Sequence, residues 1–421
     1  MSEIMNSEFG KAYCGESGIA SLMEDLGEAL AKGAAETLML GGGNPAHIPE
    51  MEQLLRETLA EIVADPAACA RMLGDYDPPA GHPGFREALA AELSGRYGWP
   101  VTQENIFLSP GSQASFFALF NALGGGGRRI HLPLVPEYIG YGDIGLKPGL
   151  FRSHRPEIEL HGDFRFKYRV HPQAYELQPD VAAVCISRPT NPTGNVVTDA
   201  ELAELSRLTK KAGVPLILDN AYGLPFPRIV FSEAQPFWEA HVILCMSLSK
   251  FGLPATRTGI VIARPEVVKA LGRANTIQCL ATPSMGPEIA LRLLEKDQLF
   301  RMSDTCIRPY YWRKVTAAAT QLETALSGLP CRIHEPEGAL FLWLWCPDLP
   351  ITSRQLYERL KARGVLVIPG EDFFPGLDQP DWRHQQECLR ISYAMADDVV
   401  ERGLAIIADE VRRAYESPSG K

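Results

Sequence analysis

Between residues 105 and 275, the hydrophobic positions form short unbroken runs separated by longer stretches of helical period. Runs at 105–108, 129–132, 181–187, 216–218 and 241–246 are apolar almost throughout, with no polar alternation. Strands of that kind are covered on both faces, which predicts a largely parallel sheet between helical layers. Helices are predicted at 51–63, from the loop after Gly84 to about Tyr97, and at 115–123 and 199–212. An earlier helix is expected at 21–32, with Ser21 as N-cap and Gly33 past its end. A brief strand at 37–40 runs into Gly41-Gly42-Gly43-Asn44-Pro45. After about residue 300 the pattern changes to a long helix (308–326), strands at 332–333 and 339–345, a helix (353–363), strands at 365–368 and 388–392, and a last helix (397–415). This predicts a second, smaller α+β unit. The mixed, charged stretch 145–176 yields no firm element, and the tail 417–421 is expected to fray.

The loops that follow the strands carry the candidate chemistry. The run 241–246 ends in Ser247-Leu248-Ser249-Lys250, then a Gly/Pro loop that leads to Arg257. A lysine there sits at the carboxyl edge of the sheet, where α/β folds bind ligands. Partial burial lowers an amine's pKa, and a neutral amine can form a Schiff base with an aldehyde. Ser247, Ser249 and Arg257 can bind a phosphate beside it. The plain alternative is an exposed loop lysine with an ordinary surface arginine. Ser109-Pro110-Gly111-Ser112-Gln113, between a strand and a helix, outlines an anion site, although many such turns are simple N-caps. Asp219 ends the run 216–218; a buried carboxylate there needs a partner, such as a pyridinium nitrogen, or else serves as a cap. Asn191 is held between two prolines and a glycine, and Tyr138 lies just beyond a strand, placed to stack on a flat ring or simply to pack.

Composition narrows the field. With 41 basic against 51 acidic residues the formal net charge is −10, which argues against nucleic acid as the main partner. No apolar run approaches the length of a membrane span, and from the polar, acidic stretch 1–10 no signal peptide is expected. The nine cysteines form no CxxC pair, so neither a metal site nor a disulfide framework is expected, and reduced thiols in the cytoplasm are the simple reading.

Taken in order, Tyr76, Gly111-Ser112-Gln113, Tyr138, Asn191-Pro192-Thr193-Gly194, Asp219 with Tyr222, Ser247-Leu248-Ser249-Lys250 with Arg257, and Arg390 resemble the fold-type I pyridoxal phosphate (PLP) aminotransferases. Longer runs resemble the valine–pyruvate branch of that family, among them Pro136-Glu137-Tyr138-Ile139-Gly140-Tyr141 and the stretch 336–345. The resemblance implies the aspartate aminotransferase-like fold. It places a large PLP-binding domain at 51–300 and a small domain at 301–421, which the N-terminal segment 1–50 joins. It implies transamination between L-valine and pyruvate by a ping-pong mechanism. Lys250 would be the Schiff-base lysine and acid/base, Asp219 the partner of the ring nitrogen, and Tyr222 and Asn191 donors to the ring oxygen. Tyr138 would stack on the ring, Ser112, Gln113, Ser247 and Arg257 would form the phosphate cup, and Gly111 and Ser249 would be further cofactor-binding residues. Arg390 would grip the substrate carboxylate beside Gly43 and Asn191, and Tyr76 would reach the phosphate of a neighbouring subunit in a homodimer.

Asn44 stands where sister groups carry an acidic residue, Arg188 where many relatives carry a small or polar one, and 273–287 diverges. Two other readings stay open: the same fold acting on other apolar or aromatic amino acids, or as a C–S β-lyase; and a transcription regulator with an aminotransferase-like sensing domain. The acidic charge and the short stretch before the first motif count against the regulator.

Overall fold

The computed structural model describes residues 7–15, 27 and 37–416. Apart from Gly27, the helix expected at 21–32 lies outside the described residues, as does the tail 417–421. Among the described residues the strands are β1 (Leu38–Met39), β2 (Ile106–Ser109), β3 (Arg129–Leu132), β4 (Phe151–Ser153), β5 (Glu157–His161), β6 (Arg165–Arg169), β7 (Val181–Ser187), β8 (Leu216–Asp219), β9 (Val242–Ser247), β10 (Gly259–Ile262), β11 (Arg332–His334), β12 (Phe341–Trp345), β13 (Val365–Leu366), β14 (Ile368–Pro369) and β15 (Cys388–Ser392).

A seven-stranded sheet runs in the order β2-β10-β9-β8-β7-β3-β4. Its pairings from β9 to β4 are parallel, and β10 alone is inserted antiparallel to both of its neighbours. Every residue of β7, β8 and β9 is buried, as the unbroken apolar runs predict for strands covered on two faces. The crossover helix Asp199–Ala212 starts at a capping box, Thr198 with Glu201, and ends on Gly213 in the left-handed region (φ 67°). Parallel pairing brings the carboxyl ends of β7, β8 and β9 side by side, with Ser187 opposite Asp219 and Asp219 opposite Cys245.

A six-stranded sheet, β14-β15-β12-β11-β6-β5, joins four C-terminal strands to β5 and β6 from the middle of the chain. β5 and β6 fall inside the stretch that the sequence left unplaced. β5 is a half-exposed edge, and only its pairing with β6 makes it a strand. The expected strand at 365–368 is two short pieces: β13 pairs with β1 and β14 with β15. Two contacts draw the glycine loop at 41–43 to Arg390 and Ser392. The Ser392 N–H donates to the Leu40 carbonyl (2.7 Å), and Arg390 Nη2 to that of Gly41 (2.6 Å). Among the described residues no helix is long and apolar enough to cross a membrane.

Candidate active site

A cavity of about 230 Å³ opens where the ends of β7, β8 and β9 meet the glycine loop and β15. It is lined by Gly43, Ser112, Gln113, Tyr138, Asn191, Asp219, Tyr222, Ser247, Ser249, Lys250, Arg257 and Arg390. Of the residues the sequence singled out, only Gly111 and Tyr76 do not line it. Gly111 sits directly behind it as the N-cap of the helix Ser112–Leu123. Tyr76 lies elsewhere, on a loop, with 82% of its surface exposed.

Lys250 follows the end of β9 and lies half-buried on the cavity wall. Its Nζ donates to the Gly43 carbonyl at 2.6 Å and stands 5.4 Å from the centre of the Tyr222 ring. Burial, with the Arg390 and Arg257 charges nearby, pulls the amine down to about 8, and Asp219 offsets this only in part. The neutral, nucleophilic form is therefore accessible near neutral pH.

Asp219 closes β8. Its Oδ2 accepts the Tyr141 hydroxyl (2.6 Å) and its Oδ1 the Ala221 N–H (3.1 Å). Burial pushes its carboxyl up to about 6, against the pull of these donors and Lys250. A cationic ring nitrogen would supply the counter-charge that this buried acid lacks. The Tyr222 hydroxyl is also raised by burial and so stays a hydrogen-bond donor.

Arg390, on β15, reaches in from the six-stranded sheet. Nη1 donates to Asn191 Oδ1 (2.9 Å) and Nη2 to the Gly41 carbonyl, while Nε is buried without a partner. Phe341 and Phe373 pack on the guanidinium, with centroids at 4.2 and 5.3 Å. Burial lowers it to about 10, which leaves it cationic at working pH and ready for a carboxylate. Because Arg390 takes the Asn191 oxygen, the amide nitrogen is the end of that side chain left for a ligand.

The anion end is built from backbone. Gly111 (φ 93°) starts the helix with no side-chain cap, so its first N–H groups are left for a ligand. A Cβ on Gly111 would run into the Arg257 guanidinium, so only glycine lets that cation close over the helix end. Ser247 Oγ accepts the Ser249 N–H at 3.0 Å and holds the serine pair in place.

Sequence reasoning missed the parts that come from afar. Tyr141 belongs to a run quoted for the resemblance, but nothing local assigns it to Asp219. Glu137, fully buried beside Tyr138, was given no role. The departures also find places. Arg188 points away from the cavity, with Nη2 on Asp199 (2.5 Å) and Nη1 on the Gln235 carbonyl (3.2 Å), so it ties the strand end to the next helix. Asn44 is exposed. The divergent 273–287 segment spans the end of the helix Pro265–Cys279 and the start of Met285–Glu295, and it exposes Ile277 (87%) and Leu280 (57%).

The comparisons agree with this geometry. The family model described as aminotransferase class I and II matches residues 38–407. The valine–pyruvate aminotransferase of Escherichia coli (strain K12) is 46% identical over 97% of this chain and 98% of that protein. The crystal structure of valine–pyruvate aminotransferase from Salmonella typhimurium LT2 superposes with a TM-score of 0.87 at 46% identity, covering 95% of this chain and all (100%) of that one. A single mutant of Thermus thermophilus aspartate aminotransferase, 23% identical, shares the fold with a TM-score of 0.76 over 97% of this chain and 100% of that one. The cofactor is pyridoxal 5'-phosphate, and the residues present fit it: an amine of lowered pKa, a buried acid without a counter-charge and an uncapped helix end under an arginine. Fold, cavity and full-length similarity together place this chain in the class I and II aminotransferases.

Proposed function

We propose that this chain transfers the amino group of L-valine to pyruvate, giving 3-methyl-2-oxobutanoate and L-alanine by a ping-pong route. The observation that carries the reading is one cavity holding Lys250, Asp219 and Arg390 in a chain nearly half identical to valine–pyruvate aminotransferases. When bound, PLP supplies an electron sink for the charge left on the substrate α-carbon. Arg390 would bind the α-carboxylate and orient the Cα–H bond toward Lys250, whose Nζ would serve as the base that takes that proton and as the acid that gives it back. Asp219 would hold a proton on the ring nitrogen, and Tyr222 and Asn191 would donate to the ring oxygen. Tyr138 packs on the ring face. Gly111, Ser112, Gln113, Ser247, Ser249 and Arg257 would hold the phosphate.

Arg257 faces the anion end, so Arg390 is the cation left for a substrate carboxylate, which favours monocarboxylic donors. The working unit is a homodimer. Exposed Tyr76, Ile277 and Leu280 are the surface that supports it, with Tyr76 reaching the partner's phosphate site. The seven-stranded sheet supports a large domain within 51–300 and the six-stranded sheet a small one at 301–421, although β5 and β6 of the latter sheet come from 157–169. All nine cysteines are free thiols, in keeping with a cytoplasmic enzyme.

The test is a visible spectrum of the purified, PLP-loaded protein with L-valine alone, followed by pyruvate. The cofactor band should fall with valine and return with pyruvate. A band that ignores valine sinks the substrate assignment, and release of pyruvate from a cysteine-type substrate with no keto-acid acceptor would indicate a lyase instead.

A further inference from the structure

Glu137 lies in the loop after β3, between Pro136 and Tyr138, and its side chain is completely buried. Its carboxyl takes three donors. Oε1 accepts the Ser187 N–H at 2.8 Å, and Oε2 accepts the Ser187 hydroxyl at 2.6 Å and the Tyr138 N–H at 3.2 Å. Its own N–H donates to the Phe373 carbonyl at 2.8 Å. Tyr138 and Ser187 both line the cavity, and the Phe373 ring packs on Arg390. One residue is thus bonded to the cavity's aromatic wall, to the strand end that leads to Asn191, and to the segment behind the substrate-binding arginine.

A leucine of similar size would fill the space without the cost of a buried carboxyl, but it would leave those N–H groups without acceptors. We propose that Glu137 is a positioning residue of the catalytic site, fixing the Tyr138 ring and the Asn191 loop at the separation a bound cofactor ring needs and tying both to Arg390 through Phe373. The proposal rests on the cofactor placement above. Burial, reinforced by Asp219, pushes the carboxyl up to about 8, while the Ser187 and Tyr138 donors pull the other way. The bonds that hold the loops therefore also favour the anion.

Wild type, Glu137→Ala, Glu137→Gln and Ser187→Ala are to be titrated as apoproteins with PLP, following visible circular dichroism, and then compared for kcat and KM. Glu137→Ala should bind PLP roughly tenfold or more weakly, give a smaller dichroic signal per bound cofactor, and lose more in kcat than it gains in KM. Glu137→Gln keeps an acceptor for the Ser187 N–H but sets an amide N–H against that of Tyr138, so it should fall in between. Ser187→Ala, which removes one hydroxyl, should show the smallest change. If Glu137→Ala does not fold, the two milder variants decide. Wild-type affinity, dichroism and kcat in both of them overturn the proposal. So does a lowered melting temperature in Glu137→Ala without any change at the cofactor. If wild type itself gains no visible band from PLP, the cofactor placement fails and this proposal falls with it.

Discussion

Lys250 and Lys167 are both drawn out of bulk water, yet their surroundings differ in kind. Lys167, on β6, is 3% exposed and ion-paired with Glu337, and its Nζ also donates to Asn195 Oδ1 (3.2 Å) and the Val196 carbonyl (3.1 Å). Its charge is fully answered. Lys250 meets one neutral carbonyl, with two guanidinium groups nearby and Asp219 as the balancing charge. Burial alone does not make a lysine reactive. Removal from water beside two guanidinium groups does, because Asp219 then offsets only part of what destabilises the ammonium form. Lys167 holds β6 to the loops at 195–196 and 337, whereas the Lys250 region is left with chemistry to do.

The largest expected effect is at Lys250. Lys250→Ala should fold but lose turnover by at least ~10²–10⁴-fold, as steady-state assays would register. Borohydride reduction of the PLP-loaded wild type, followed by peptide mass mapping, should mark Lys250 and leave Lys167 untouched. A label on Lys167 would break the comparison outright.

Lys167→Met should act in the opposite sense. It strips the partner from a mostly buried Glu337 carboxylate and should cost about 3 kcal/mol of stability in urea unfolding. Turnover of the folded fraction should change by less than about tenfold. A collapse in activity with stability intact would mean that Lys167 belongs to the catalytic machinery.

Arg390→Lys tests the cation that depresses Lys250. A point charge cannot reproduce a guanidinium that spans Asn191, Gly41 and a carboxylate, so KM for the amino acid should rise roughly tenfold or more. The gentlest probe is pH. With Lys250 at about 8, its neutral fraction grows as pH climbs through that value, so the rate at which apoprotein captures an aldehyde should rise through pH 8 and then level off. The unfolded chain holds that proton more tightly than the folded one, so the apoprotein should also gain stability as pH rises from about 8 toward the ordinary lysine range. A rate still climbing steeply at pH 10 would show an unperturbed amine.

Much of the site was legible because its residues punctuate strands. Asn191, Asp219 and Lys250 each follow an unbroken apolar run, and three adjacent parallel strands must end on one edge of the sheet. The glycine turn at Gly111 was legible for the same reason. Groups that meet across long separations were not. Tyr141 reaches Asp219 from 78 residues away, Ser187 reaches Glu137 from 50, and Arg390 reaches the Gly41 carbonyl from 349. β5 escaped notice because its sequence is polar and half its surface is exposed. β10 escaped because four apolar residues after a proline loop carry no sign of the two strands they part.

From the sequence alone came the apolar runs of the central parallel strands, the order of the motifs along the chain and the kinds of group each of those strand ends presents. They are legible there because apolar periodicity and turn chemistry are local properties. Only the tertiary structure decided which of these groups lack a counter-charge, which donors answer Glu137 and Asp219, and where Tyr76 is left exposed. Electrostatic environment depends on distance and exclusion of water, and folding sets both between residues that the chain keeps far apart.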